Sequence, residues 1–327
     1  MAGIPRRKEI TKQRIVFLVG PTAVGKTEVA AILAKKINTE VISCDSMQVY
    51  RGMDILTSKP TPALRKKVKH HLIDILSPQQ EYNVSRYHKE ASKKIGEILA
   101  KGKVPLVVGG TGLYMSILIN GIFQIKSEDK GLRLRLAQEA KKHGGTFLYK
   151  KLKQVDPQAA SKIHPNDAKR IIRALEVFLS TGKQISRLQK ERKGLSQDYD
   201  LKIFCLNIER NKLYRRIEAR VEKMFKSGLV AEVKRLLKLR LSKTSRWAIG
   251  VREVKGYLEG LYDLEEAKRQ IKRSSCLYAK RQLTWFRQDK RIKWIEVADK
   301  ETPASIANRI GTVLKTKQNC PLIRGQF

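Results

Sequence analysis

An α/β fold is what this 327-residue sequence predicts: a parallel sheet alternating with helices and interrupted by a helical insertion. Three observations predict it. Short β-branched runs alternate with helix-period segments through the first part of the chain. From residue 127 to 195 the pattern is helical, with no convincing strand. Strand character then returns at 201–208, LKIFCLNI.

The elements follow in order. RIVFLV at 14–19 is a short apolar run bounded by Gly20 and Pro21, which reads as a buried strand. Residues 26–37 place their apolar positions on one helical face, and EVIS at 40–43 reads as a second strand. A helix over 85–100 and a strand over 104–108 continue the alternation. The stretch 104–125 carries no charge and is long enough to span a bilayer. Gly109, Gly110, Thr111 and Gly112 interrupt it with turn chemistry, so strand, turn and buried helix fit better than a membrane span. In the insertion, Asn166 is placed to cap the run DAKRIIRALEVFLS, and Gly182 to end it. Residues 211–240 and 263–288 read as long basic amphipathic helices, and IKWIEV at 292–297 as a late strand. The expected organisation is a core over 1–120, a helical insertion over 121–198, and completion of the core over 199–327 with basic C-terminal helices.

Composition bounds the function. At 41% hydrophobic residues there is enough apolar material for a packed core. Sixty-nine Lys and Arg against 31 Asp and Glu give a formal charge of +38, spread along the chain and not confined to a tail. Such an excess favours polyanion partners, chiefly nucleic acid, although a general lysine bias also contributes. Cys44, Cys205, Cys276 and Cys320 form no CxxC pair and lie at no metal spacing from histidine, which predicts no zinc site and no disulfide framework. That fits the cytoplasm. The opening MAGIPRRKEITKQR has no apolar segment of the signal-peptide kind.

Residues 20–27, GPTAVGKT, match G-x-x-x-x-G-K-[ST] in full: Gly20, Pro21, Thr22, Ala23, Val24, Gly25, Lys26 and Thr27. The match follows a strand and opens a helix, as the physics requires. Glycines let main-chain N–H groups approach phosphate oxygens, and the helix N-terminus adds partial positive charge. Lys26 supplies a point charge, and the Thr27 hydroxyl is placed to hold Mg²⁺. The core is therefore of the P-loop NTPase-like type. The strand at 104–108 has no Walker-B-type aspartate at its tip, and no NKxD motif occurs, which weakens an ordinary ATPase or GTPase reading. Asp45, in CDSMQVY directly after the second strand, belongs at the crevice where strand C-termini line ligand sites. Three roles stay open for it there: organising Mg²⁺, accepting a proton, or capping a turn.

GPTAVGKT, DSMQVYRGMDI, HHLIDIL, VGGTGLY, HPNDAKRIIRALEV and YAKRQLTWFR occur in the order seen in tRNA dimethylallyltransferases, and the chain resembles that family from residue 15 to 290. The resemblance implies a P-loop core with a helical insertion that grips the anticodon stem. It implies transfer of a dimethylallyl group from dimethylallyl diphosphate to N6 of adenosine-37 of tRNA, with Mg²⁺ and release of diphosphate. It implies that Asp45 takes the N6 proton, that Lys26, Thr27 and Thr22 stabilise the diphosphate, and that Arg210 and Arg216 close over it. Ser46, Met47 and Gln48 match the strip that meets the target base, and Thr111 a tRNA-contacting threonine. Lys169, Arg170, Ile171, Ile172 and Arg173 match a tRNA-contacting stretch of the insertion. Arg246, Gly250, Lys280 and Arg281 complete the tRNA surface that the resemblance implies. A monomer of the bacterial type, without a zinc-finger extension, is expected.

Three places depart from the family pattern: Leu56 to Pro60 where GTAKP is common, Val251 in IGVRE, and Ser275-Cys276 before YAKRQ. Three other functions fit part of the sequence. A small-molecule kinase shares the cradle but does not predict the insertion or the basic helices. A prenyltransferase acting on free AMP does not predict the large positive charge. A non-catalytic RNA-binding protein leaves the intact cradle and Asp45 unexplained.

Overall fold

The computed structural model describes residues 12–123 and 130–315. The basic opening stretch over 1–11, positions 124–125 of the uncharged run, and Cys320 lie outside the described residues. Within them, the strands are β1 (Arg14–Val19), β2 (Val41–Cys44), β3 (His70–His71), β4 (Leu106–Gly109), β5 (Asp200–Asn207) and β6 (Ile292–Glu296). They form one six-stranded sheet in the order β3-β2-β4-β1-β5-β6, every pairing parallel. Ile15 to Val19 are buried, the near-continuous apolar run of a strand covered on both faces.

The first helices are α1 (Lys26–Lys36), α2 (Pro62–Lys67), α3 (Val84–Ala100) and α4 (Gly112–Asn120). Strand β4, the glycine turn and α4 give the uncharged stretch the strand–turn–helix form predicted for it. Strand β2 ends one residue later than predicted, at Cys44, which pairs with Gly109.

The chain divides into two units, Met1–Leu118 with Asp198–Phe327, and Ile119–Gln197. The second unit is helical: α5 (Lys130–His143), α6 (Gly145–Val155), α7 (Pro157–Ala160), α8 (Ala168–Thr181), α9 (Ile185–Lys190) and α10 (Leu195–Asp198). Leu136, Leu148, Leu152, Ile171 and Leu175 belong to its core. The N-cap of α8 is Asp167, whose Oδ1 accepts the Arg170 N–H at 3.1 Å; it is not Asn166. Asn166 lies in the preceding turn, where its N–H meets His164 Nδ1 at 3.2 Å. Gly182 ends the helix at φ 68°, as predicted.

After β5 come α11 (Arg210–Lys226), α12 (Leu229–Leu237), α13 (Val251–Leu258), α14 (Leu264–Arg287) and α15 (Pro303–Lys315). The single helix predicted over 211–240 is two, because Gly228 turns into the left-handed region at φ 94°. The buried stripe Leu213, Ile217, Val221, Met224 ends before it, and a new stripe begins at Leu229. The two-residue β3 and the closing helix α15 have no counterpart in the sequence prediction.

Candidate active site

Residues 20–27 bridge β1 and α1 at the centre of the sheet. Gly25 sits at φ 100° as the N-cap of α1, a conformation that excludes most side chains and turns main-chain N–H groups toward the crevice. Val24 is buried, its side chain packed in the hydrophobic core. The Lys26 ammonium donates to the carbonyls of Gly20 at 2.9 Å and Pro21 at 2.7 Å. Burial, and after it the nearby Arg220 guanidinium, pull the pKa of Lys26 down from 10.5 to about 8.

Sheet register brings Asp45 to this loop. Val19 and Cys44 both pair with Gly109, so the three strand ends are level, and Gly20, Asp45 and Gly110 follow them side by side. Asp45 Oδ1 accepts the N–H of Met47 at 2.8 Å and of Gln48 at 3.3 Å, which caps the turn after β2. Turn cap and active-site carboxylate are therefore compatible, because Oδ2 accepts no hydrogen bond from the described residues. The turn is braced by the β4 loop: Ser46 N–H donates to Thr111 Oγ1 at 3.2 Å, and Thr111 N–H to the Cys44 carbonyl at 3.2 Å.

Two cavities meet at this carboxylate. One, of about 820 Å³, holds Lys26, Thr27, Gln48 and Arg216 on its walls. The other, of about 290 Å³, is lined largely by apolar side chains, among them Leu56, Ile217, Val221, Met224 and Ile271, with Met47 and Arg281 also on its wall. Thr22, Asp45, Thr57, Arg220, Met224 and Tyr278 line both. Trp247, 69% exposed, stands on the wall of the smaller cavity.

The arginines differ from expectation. Arg210 points away: its Nε donates to Tyr214 Oη at 3.1 Å, its guanidinium lies 5.2 Å from that ring, and it lines neither cavity. Six residues along α11, Arg216 reaches the Val24 carbonyl at 3.4 Å. Arg220, which the sequence reading passed over, donates from Nη1 to Thr22 Oγ1 at 2.8 Å, and burial lowers its pKa from the usual 12.5. The signal for it exists in the sequence. Arg220 is three residues from Ile217 and four from Met224, on the buried edge of the stripe.

Gln282 is a second residue missed, a polar position between the buried Ala279 and Phe286 of α14. A Cβ on Gly110 would overlap its amide, and one on Gly112 the Trp285 ring, so these glycines let α14 settle onto the turn after β4.

The remaining expected positions are dispersed. Arg246 donates to the carbonyls of Ser242 and Leu241 beside Trp247. Gly250 caps α13 at φ 107°. Lys280 is exposed on α14. In the helical unit Lys169 and Arg170 are exposed and Arg173 pairs with Glu176 at 3.0 Å. Ile171 is fully buried and the half-buried Ile172 packs on the same core, so both contribute to the interior of the unit.

The IPP transferase family model matches residues 48–289. The chain belongs to the IPP transferase family. This IPP transferase is 48% identical to the tRNA dimethylallyltransferase of Carboxydothermus hydrogenoformans over 302 residues, 92% of this chain and 97% of that one. The crystal structure of the tRNA isopentenylpyrophosphate transferase of Bacillus halodurans is similar with a TM-score of 0.68 and 41% identity, covering 93% and 97% of the two chains. A eukaryotic dimethylallyltransferase solved acting on tRNA superposes with a TM-score of 0.79 at 28% identity, over 91% of this IPP transferase and 77% of that chain.

Proposed function

We propose that this IPP transferase moves the dimethylallyl group of dimethylallyl diphosphate onto N6 of adenosine-37, beside the anticodon of tRNA, and releases diphosphate. The observation that carries the reading is the meeting of a phosphate cradle and an apolar cavity at Asp45, Thr22 and Arg220. An alkyl diphosphate has the same two halves, and its reactive carbon lies where they join.

The chemistry follows from these residues. The N6 amine is a weak nucleophile because its lone pair is delocalised into the ring. Asp45 Oδ2 accepts the N6 proton as the nitrogen bonds to C1 of the prenyl group. The C–O bond breaks and its electrons leave with the diphosphate, whose growing charge meets Lys26, Arg216, Arg220 and the main-chain N–H groups of residues 22–27. Thr27 and the diphosphate offer hard oxygen ligands of the kind Mg²⁺ takes, so the residues present fit that ion, with Thr27 as its protein ligand. When bound, Mg²⁺ adds neutralising charge at the leaving group. The base must leave the anticodon stack to reach the carboxylate. Met47, Trp247 and Arg281 line the cavity it enters.

The protein acts as a monomer in the cytoplasm in this reading, and no helix among the described residues is long and apolar enough to cross a membrane. Incubation with tRNA, dimethylallyl diphosphate and Mg²⁺, then nucleoside mass analysis, tests the reaction. N6-dimethylallyladenosine is the expected product. Prenylation of free AMP in preference to tRNA, or ATP turnover without RNA, would replace this reading with one of the others.

A further inference from the structure

We infer that Leu56 sets the length of prenyl chain that this IPP transferase accepts. The inference rests on the proposed reaction and concerns which donor takes part in it.

With diphosphate on residues 20–27, C1 of the donor lies by Asp45, Thr22 and Arg220, and the chain beyond it needs an apolar space. The 290 Å³ cavity opens from those same residues. Its volume is at the low end for pockets that hold small organic ligands, and it must also receive the acceptor base. The exposed Trp247 and Arg281 mark its open side. The buried part of its wall includes Leu56, Met224 and Ile271, with Leu56 only 6% exposed.

That wall is fixed from behind. The buried Glu232 carboxylate accepts three consecutive main-chain N–H groups, from Asp54 at 3.0 Å, Ile55 at 2.9 Å and Leu56 at 2.8 Å. The loop that carries Leu56 therefore has no slack to withdraw. On the other side, Leu56 Cδ1 lies so close to Gly250 that a Cβ there would come within 2.6 Å of it. A residue held at its main chain and wedged at its methyl group is a stop: a five-carbon chain fits in front of it, and a ten-carbon chain meets it. Interior packing yields little to such an intrusion.

The test compares dimethylallyl and geranyl diphosphate as donors to tRNA, using kcat/KM for the wild-type protein, Leu56→Ala and the near-isosteric Leu56→Met. The wild type should strongly prefer the five-carbon donor. Leu56→Ala should raise the geranyl-to-dimethylallyl ratio at least about tenfold, the scale on which pocket walls discriminate apolar groups. Leu56→Met should keep the wild-type ratio, which separates pocket depth from mere disturbance of the loop. Equal use of both donors by the wild type, or an unmoved ratio in an active Leu56→Ala protein, would overturn the inference and leave the reaction standing. If Leu56→Ala does not fold, Leu56→Val takes its place with the same ratio read. Absence of dimethylallyl transfer by the wild type would remove the reaction itself, and the inference with it.

Discussion

Gln282 accepts the main-chain N–H of Thr22 through Oε1 at 2.8 Å, while its Nε2 donates to the Gly110 carbonyl at 2.8 Å. One buried amide thus fastens the phosphate loop to the turn after β4. Replacing it with leucine leaves the buried Gly110 carbonyl without its partner, which costs roughly 1–3 kcal/mol, and releases the half-buried Thr22 N–H. Gln282→Leu should unfold at lower denaturant and bind inorganic diphosphate more weakly. Unaltered diphosphate affinity would separate Gln282 from the cradle.

Asp45→Asn keeps an oxygen to cap the turn but cannot take a proton. Turnover should fall by roughly 10²–10⁴-fold, the usual worth of a positioned base, with tRNA affinity close to wild type. Single-turnover rates with bound tRNA measure this directly, and a rate near wild type would end the assignment of Asp45 as base.

Two of the four arginines of α11, Arg220 and Arg210, should behave differently. Arg220→Ala removes a buried cation from the junction of the cavities and should lower kcat with dimethylallyl diphosphate by roughly 10²–10³-fold. Arg210→Ala changes a residue stacked on Tyr214 and should stay within about twofold. A reversed order in steady-state kinetics would restore the assignment that the sequence suggests.

Lys26 predicts a pH dependence. Its pKa in the free protein is about 8, so the ammonium that greets an incoming diphosphate is lost above that pH. Affinity for inorganic diphosphate, measured by calorimetry, should decline as pH rises through about 8, and Lys26→Met should abolish the inflection. Stability of the ligand-free protein runs the other way. The unfolded chain titrates Lys26 near 10.5 and binds more protons between 8 and 10.5, so folding gains stability as pH rises across that window.

With a formal charge of +38, tRNA binding should release counterions and weaken steeply with salt. A log–log plot of affinity against salt concentration between 50 and 200 mM should show a loss of at least about tenfold. A flat plot would show that the excess charge is not spent on phosphates.

Much of this architecture is legible in the sequence because its signals are local. GPTAVGKT carries its own geometry, and RIVFLV and the stripe of α8 announce their periods within a dozen residues. What escaped is carried by distance. Arg220 and Thr22 meet across 198 positions, and Gln282 and Thr22 across 260. A basic helix with Arg210, Arg215, Arg216 and Arg220 offers four similar candidates, and only the buried edge of its stripe singles one out. Leu56 is visible as a departure from the family pattern, but its place beside Gly250 and Ile271 depends on packing that no local motif encodes. The break at Gly228 was readable as a glycine, yet the basic residues on both sides continue the helical pattern through it.

The level ends of β1, β2 and β4 have one more consequence. Gln282 and Thr111 brace the three turns against one another, but the ladder of main-chain hydrogen bonds sets where each turn begins. A single-residue deletion within β2 would draw Asp45 back by about 3.3 Å and turn it to the other face of the sheet. The count of residues in these three short strands thus acts as a ruler for the proposed reaction.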